Sequence, residues 1–276
     1  MITIASKNKA NWNSYAEKYT RYEHSEEAMS RIVESPKNAF DSVTWDVMHR
    51  FVPNLKDKKI CVPSSGDNKA VYAFTMLGAY VDSCDISENQ LSNAERIAKQ
   101  YGWDKSIKFI CTDTMSLEGI KDNEYDFVYT SNGVHVWINN LSAMYENIYR
   151  ITKPGGMYML YEIHPFQRPF NNDGTFKRSY EATGPYENEN NVTFGWRLMD
   201  IMNAIYHSGF AVKHMEEIMP KKDYDWPFWF SHEEILDGAT APHDEVDKKW
   251  EEHKMAMLPE MFVIAAQKPI TAGKTI

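Results

Sequence analysis

Lys59–Asp85, KICVPSSGDNKAVYAFTMLGAYVDSCD, decides the fold. It begins with a short apolar run, Lys59 to Val62, with the character of a buried strand. Pro63, Ser64, Ser65 and Gly66 are turn residues. A helix is expected from about Asp67 to Leu77, and Tyr80 to Cys84 reads as a second strand that ends on Asp85. In an open parallel sheet such a unit seats a ligand over the C-terminal ends of its strands. The turn's amides and the N-terminus of the helix then face the ligand's polar part. Asp85 lies about 20 residues past the turn, where a nucleoside-binding sheet places an acceptor for two ribose hydroxyls.

Downstream, strands and helices keep alternating. Ser87 followed by Gln90 is a capping box, Leu91, Ala94, Ala98 and Tyr101 form an apolar face, and Gly102 stands where a helix stops. Ile107 to Cys111 is the third strand, ending in Thr112-Asp113, and Tyr125 to Thr130 the fourth, ending in Ser131-Asn132-Gly133. A helix from Leu141 to Ile151 is stopped by Lys153-Pro154-Gly155-Gly156, which turns the chain into a fifth strand, Met157 to Ile163. Five alternations make an α/β fold with a parallel sheet covered on both faces, and right-handed crossovers make it doubly wound. Every strand ends in a small or polar residue, namely Ser64, Asp85, Asp113, Ser131 and His164, so five loops build one cleft.

The pattern breaks from Pro165 to Asn191, a long loop rich in Asn, Gly and Pro. A helix is expected from Thr193 to Ser208, then a sixth strand from Phe210 to Ile218 and a seventh from Met261 to Gln267. Between them lie an aromatic segment at 223–230, a short helix capped at Ser231 to Glu234, and a charged helix from about Asp244 to Met257. Ahead of the first strand, Trp12, Tyr15, Ala16 and Tyr19 recur at helical spacing. That helix either packs on the flank or closes over the ligand. A further helix is expected from Pro36 to Phe51, with Phe40, Val43, Val47 and Met48 buried.

With 276 residues, 43% hydrophobic, 25% charged and a net charge of −9, the chain reads as a soluble globular protein with no basic run for a nucleic-acid backbone. No apolar run is long enough to span a bilayer, and the N-terminus lacks a signal-peptide core, so cytoplasmic location is the expectation. Cys61, Cys84 and Cys111 fall in strands expected to be buried, and neither they nor His207, His214 and His243 show metal-ligand spacing.

The order of elements over roughly Lys59 to Lys268 resembles the class I S-adenosylmethionine-dependent methyltransferases. The resemblance is carried by Gly78–Ser87, Ile107–Asp113, Tyr125–Ser131 with His135-Val-Trp137, and Leu141–Gly156. It implies a three-layer αβα sandwich with a seven-stranded, mostly parallel sheet in the order 3-2-1-4-5-7-6, the seventh strand antiparallel. Residues 1–58 are then an N-terminal helical segment and cofactor flap, 59–268 the Rossmann-like domain, 165–193 and 218–260 substrate-cover insertions, and 269–276 a flexible tail. The implied activity is methyl transfer from S-adenosyl-L-methionine to a small-molecule acceptor, with no nucleic-acid or membrane partner, by a monomer or homodimer. The implied cofactor residues are Tyr15, Ser64, Ser65, Gly66, Asp85, Ile86, Gln90, Asp113, Thr114, Met115 and Ser131.

The departure lies in the first turn. The family usually has an acid at the end of strand one and a GxGxG turn; here Val62 stands at the acid position and Ser64, Gly66 and Asn68 at the glycine positions. Small Ser and left-hand-tolerant Asn keep the turn feasible.

Methyl transfer needs proximity, alignment and a dry site more than acid–base chemistry. A sulfonium cation suits aromatic faces, and Tyr15, Tyr19 and Trp137 lie near the cleft edge. His135 is either a general base or a structural loop histidine, and no metal is expected. His164 and Glu162, at alternate positions of strand five, either meet the acceptor or form a polar pair. The 223–230 aromatics are either core or a substrate cage. Two other functions stay open. One is a dinucleotide-dependent oxidoreductase, which SSGDN disfavours because it lacks GxGxxG; the other is a non-catalytic or altered-cofactor protein of the same fold.

Overall fold

Three helices precede the sheet in the computed structural model, which describes residues 3–171, 173–222 and 252–270. Each starts on a side-chain cap. Thr3 accepts Ser6 N ahead of α1 (Ile4–Glu23), Ser25 accepts Ala28 N ahead of α2 (Glu26–Glu34), and Asp41 accepts Val43 N ahead of α3 (Ser42–Phe51). The single helix expected over Pro36–Phe51 is therefore broken. Pro36–Ala39 form a short 3-10 turn, Phe40 is extended, and Asp41 restarts the chain as α3. The unanticipated α2 is anchored by only two buried apolar residues, Met29 and Ile32, too few to show a period in sequence.

The doubly wound core follows as β1 (Lys59–Pro63), α4 (Lys69–Met76), β2 (Tyr80–Asp85), α5 (Glu88–Tyr101), β3 (Ile107–Cys111), β4 (Tyr125–Ser131), α6 (Leu141–Ile151) and β5 (Thr152–Ile163). A two-stranded hairpin, β6 (Tyr186–Glu187) and β7 (Val192–Thr193), interrupts the long loop before α7 (Leu198–His207). Strands β8 (Ala211–Ile218) and β9 (Met261–Gln267) close the sheet. The sheet order is β3-β2-β1-β4-β5-β9-β8, with β9 antiparallel to both neighbours. With β8 and β9 as the sixth and seventh sheet strands, this is the expected order and the expected antiparallel strand.

Alternation along the strands separates two cores. Ile60 and Val62 of β1 pack with α2, α3, α4 and α5 on one face. Cys61, Tyr158 and Leu160 pack with α6 and α7 on the other. The α6 stripe of Leu141, Met144, Tyr145, Ile148 and Ile151 is buried throughout. Each such residue contributes about 1.5–3 kcal/mol by leaving water.

Several local expectations change. Helix α4 begins at Lys69, not Asp67, because the Asn68 side chain caps it by accepting Ala70 N. Helix α7 begins at Leu198, not Thr193, since Val192 and Thr193 are taken up by β7. Strand β5 already starts at Thr152, with an irregular register against β4 that accommodates the Pro-Gly-Gly stretch. Cys61 and Cys84 are buried, but Cys111 is exposed, because β3 is the sheet's edge strand. The 223–230 aromatics, the Ser231 helix, most of the Asp244 helix and residues 271–276 lie outside the described residues; within the expected charged helix, Lys254–Met257 is a 3-10 turn. No helix among the described residues is long and apolar enough to cross a membrane.

Candidate active site

The C-terminal ends of β1, β2, β3 and β4 open into one cavity, roofed by α1. Parallel strands in the order 3-2-1-4 bring their loops side by side. Ser64, Ser65, Gly66, Asp85, Ile86, Gln90, Asp113, Thr114, Met115 and Ser131 all line this cavity.

Hydrogen bonds between neighbouring strand ends fix the first turn. Ser64 takes the left-handed conformation (φ +51°), and its Oγ lies 2.7 Å from Thr114 Oγ1. Ser65 N donates to Cys84 O at 2.9 Å, and its Oγ pairs with Ser83 Oγ at 2.8 Å. Gly66 N donates to Asp85 Oδ2, and Ser87 N to Asp85 Oδ1, both at 2.8 Å. The Ser87–Gln90 box is therefore half formed. Ser87 Oγ accepts Gln90 N at 3.2 Å, while Ser87's own amide goes to Asp85. Asn68 Nδ2 reaches across to Ser131 Oγ at 2.8 Å, and Asp113 Oδ1 accepts Met115 N at 2.8 Å.

Two buried acceptors on the cavity wall, Asp67 Oδ1 and Gln90 Oε1, have no hydrogen-bond partner among the described residues. Buried acceptors are ordinarily satisfied, so both await a donor. In sequence Asp67 reads only as a helix start. Its other oxygen accepts from Thr20 Oγ1 of α1 and lies 3.4 Å from His24 Nδ1. Burial pushes the Asp67 carboxyl up to about 7 and, with Lys69 adding to the effect, the His24 imidazole down to about 3. Burial also raises the Asp85 carboxyl to about 6 against the pull of three backbone amides.

Helix α1 is seated by polar bonds at both flanks. Asn8 exchanges two bonds of 2.9 Å with the Val192 backbone, and Asn13 Oδ1 accepts Ser87 Oγ at 2.6 Å. Of the residues facing the cavity from α1, Trp12 and Tyr19 are the aromatic ones, with Trp12 5.1 Å from Trp137 and 5.7 Å from Tyr19 between ring centroids. Tyr15 is not on this wall. It sits at the edge of the stripe formed by residues 5, 8, 12, 19 and 23.

Neither candidate base reaches the cavity. His135 is buried, its Nε2 2.7 Å from Tyr145 Oη, its backbone N donating to Glu162 Oε2 at 3.1 Å. His164 is buried with Nε2 3.1 Å from Glu217 Oε1 and Nδ1 accepting Phe166 N. Both side chains point into packed interior, where burial lowers each imidazole below its ordinary value. Glu162 pairs not with His164 but with His135, whose Nδ1 is 3.4 Å away, and with Arg168, 3.6 Å away.

The strand-end cavity coincides with a recognised sequence pattern: the family model described as a methyltransferase domain matches residues 63–160. A sterol 24-C-methyltransferase of Gibberella zeae is 26% identical over 178 residues, 64% of this chain and 45% of that protein. The chain thus spans about half the length of the curated relatives it matches. An S-adenosylmethionine dependent methyltransferase from Mesorhizobium loti shares the fold at a TM-score of 0.60 and 20% identity, over 82% of this chain and 98% of that one. Geranyl diphosphate C-methyltransferase from Streptomyces coelicolor, solved with S-adenosyl-L-homocysteine, shares it at 0.57 and 12%, over 84% and 77%. The matched region holds all the strand-end residues named above, from Ser64 to Ser131.

Proposed function

We propose that the chain is an S-adenosyl-L-methionine-dependent methyltransferase that methylates a small-molecule acceptor by in-line displacement. The observation that carries this reading is the cleft's unsatisfied wall. Asp67 Oδ1 and Gln90 Oε1 are buried acceptors without donors among the described residues, on the same cavity wall as a carboxylate, Asp85, that accepts two amides. A nucleoside with ribose hydroxyls and an ammonium-bearing tail supplies such donors, so the residues fit the cofactor.

Asp85 would accept the ribose hydroxyls, with Ile86 and Gln90 beside it. Asp113, Thr114 and Met115 would flank the adenine, and Ser64, Ser65, Gly66 and Ser131 the polar tail. Trp12 and Tyr19 fill the place expected of Tyr15. When bound, the cofactor supplies a sulfonium-activated methyl group. The protein's own part is to align the acceptor, keep water out with α1, and hold a cation among the faces of Trp12, Tyr19 and Trp137. No histidine lines this cleft among the described residues. An acceptor that is a neutral nucleophile at neutral pH needs none. Within residues 1–58 it is α1 that acts as the flap in this reading, 165–193 covers the acceptor together with 218–260, of which 223–251 lie outside the described residues, and the protein works in the cytoplasm.

Isothermal titration with S-adenosylmethionine, S-adenosylhomocysteine and NAD tests the reading. Binding of the sulfur nucleosides but not NAD is expected, and failure of both nucleosides to bind would sink it. A mass-spectrometric screen for the gain of one methyl group in a metabolite mixture then identifies the acceptor.

A further inference from the structure

Beside the cofactor cleft, sharing Glu23 and Asn132 with it, lies a second cavity of about 560 Å³. That volume falls in the range of small-molecule sites. One wall is a stretch of chain that reverses on itself. Phe170 and Phe176 form an antiparallel bridge with ring centroids 4.5 Å apart, and Lys177 N donates to Pro169 O at 2.8 Å. The reversal lays Lys177 and Arg178 beside Arg168. Arg168 and Lys177 line the cavity, while Arg178 stacks over the Tyr186 ring at 3.6 Å.

Of these three cations, Arg168 alone has an ion pair among the described residues. Arg168 has one ion pair, at 3.6 Å, to Glu162, whose oxygens already accept the amides of His135 and Ile163. Lys177 has no side-chain hydrogen bond or ion pair among the described residues. Two carboxylates also border the cavity, Glu23 and Glu260; Glu23 is bound to Lys69 at 2.6 Å. Arg168 is half-buried and Lys177 exposed at the cavity's rim; desolvation and the neighbouring Arg178 push both below their ordinary values, with Glu162 opposing the effect on Arg168. Such a group of charges is held at a cost that an anion between them removes. The rest of the described wall combines apolar Ile163, Phe170, Met255 and Met261 with polar Asn132, Gln167 and Asn171.

We propose that this cavity is the acceptor site, and that the acceptor carries a carboxylate or phosphate held by Arg168 and Lys177, its apolar body lying over Phe170, Met255 and Met261. The proposal rests on the methyl-transfer reading of the adjoining cleft. Asn132, at the end of β4, is the shared wall across which the acceptor atom meets the methyl group.

The test is titration calorimetry of the protein, with and without S-adenosylhomocysteine, using phenyl phosphate against phenol and benzoate against benzamide. The charged member of at least one pair should bind at least about tenfold more tightly than its neutral analogue, with an advantage that shrinks as salt rises. The preferred anion then names the group. Lys177→Gln, which breaks no existing side-chain bond among the described residues, should remove most of that advantage and leave the affinity for S-adenosylhomocysteine unchanged. Arg168→Gln should act in the same direction. Equal affinity for charged and neutral probes, or an unaltered advantage in Lys177→Gln, would overturn the proposal. A clear anion preference in a protein that does not bind S-adenosylhomocysteine would overturn the acceptor assignment through the methyl-transfer reading alone.

Discussion

Asp85 accepts the Gly66 amide at 2.8 Å through one carboxylate oxygen. Its other oxygen takes Ser87 N, so one side chain ties the first turn to the start of α5. A turn with a single glycine keeps its shape because a neighbouring strand holds it, and the same carboxylate faces the cleft. Asp85→Ala should therefore weaken S-adenosylhomocysteine binding at least about tenfold and lower Tm by a few degrees. Calorimetry reads both. Wild-type affinity with a lowered Tm would reduce Asp85 to a structural tie.

The same carboxyl sets a pH dependence. Burial raises it from 3.8 to about 6. Between those values the folded protein keeps a proton that the unfolded chain has released. Its contribution to stability is full at acid pH and is lost as pH rises through about 6. Ligand affinity runs the other way, since only the ionised form accepts ribose hydroxyls while holding two amides. Affinity for S-adenosylhomocysteine should rise by about tenfold from pH 5 to pH 7 and flatten above. Asp67, raised to about 7 on the same wall, adds an inflection that Asp67→Asn removes. A flat profile in Asp67→Asn would contradict the role given to Asp85.

Ser64 tests whether the turn tolerates its missing glycine. Its left-handed backbone costs about 1–2 kcal/mol, and its Oγ contact with Thr114 recovers part of that. Ser64→Gly should leave Tm within about 2 °C, strain relief offsetting the lost bond. Ser64→Val, β-branched at a positive φ, should cost several degrees and most of the cofactor affinity. Thermal melts of the two variants decide it. A valine that behaves like glycine would mean the turn is mobile in solution.

The sheet was legible because each strand is an apolar run with a polar end, and because right-handed connection leaves few topologies. The meeting of Ser64, Asp85, Asp113 and Ser131 in one cavity follows from that topology alone. Other features depend on contacts that no local pattern announces. The seating of α1 is set by Asn8 on the Val192 backbone, a partner 184 positions away. That contact decides that Trp12 and Tyr19, not Tyr15, face the cleft. Asp67 carries no signal of its own in sequence, because an acid at a helix start ordinarily reads as a cap. His135 and His164 end up inside packed elements, which strand-end position alone does not reveal.

The aromatic roof predicts a difference between two ligands that share every other group. S-adenosylmethionine carries a sulfonium charge and S-adenosylhomocysteine does not. Trp12 and Trp137, 5.1 Å apart over the cavity, should favour the charged ligand by about 0.5–2 kcal/mol. Trp12→Leu or Trp137→Leu should weaken S-adenosylmethionine binding about 3–30-fold more than S-adenosylhomocysteine binding, by titration under matched conditions. Equal losses would leave the indoles as packing only.

His135 and Tyr145 form a buried pair, Nε2 to Oη 2.7 Å, beneath the loop that follows β4. A base in that position would have to reach the acceptor through protein. His135→Phe should therefore act on the fold: it leaves the Tyr145 hydroxyl short of a partner at a loss of about 1–3 kcal/mol and removes the imidazole 3.4 Å from Glu162, while the backbone bond to Glu162 stays. Tm should fall by several degrees. Methyl transfer per folded molecule, measured on the acceptor that the mass-spectrometric screen identifies, should stay within about threefold of wild type, with an unshifted pH profile. His164→Gln should behave alike, since its partner Glu217 lies on β8, away from the cofactor cleft. A loss of turnover by about a hundredfold or more at unchanged Tm in either variant would restore that histidine as the base.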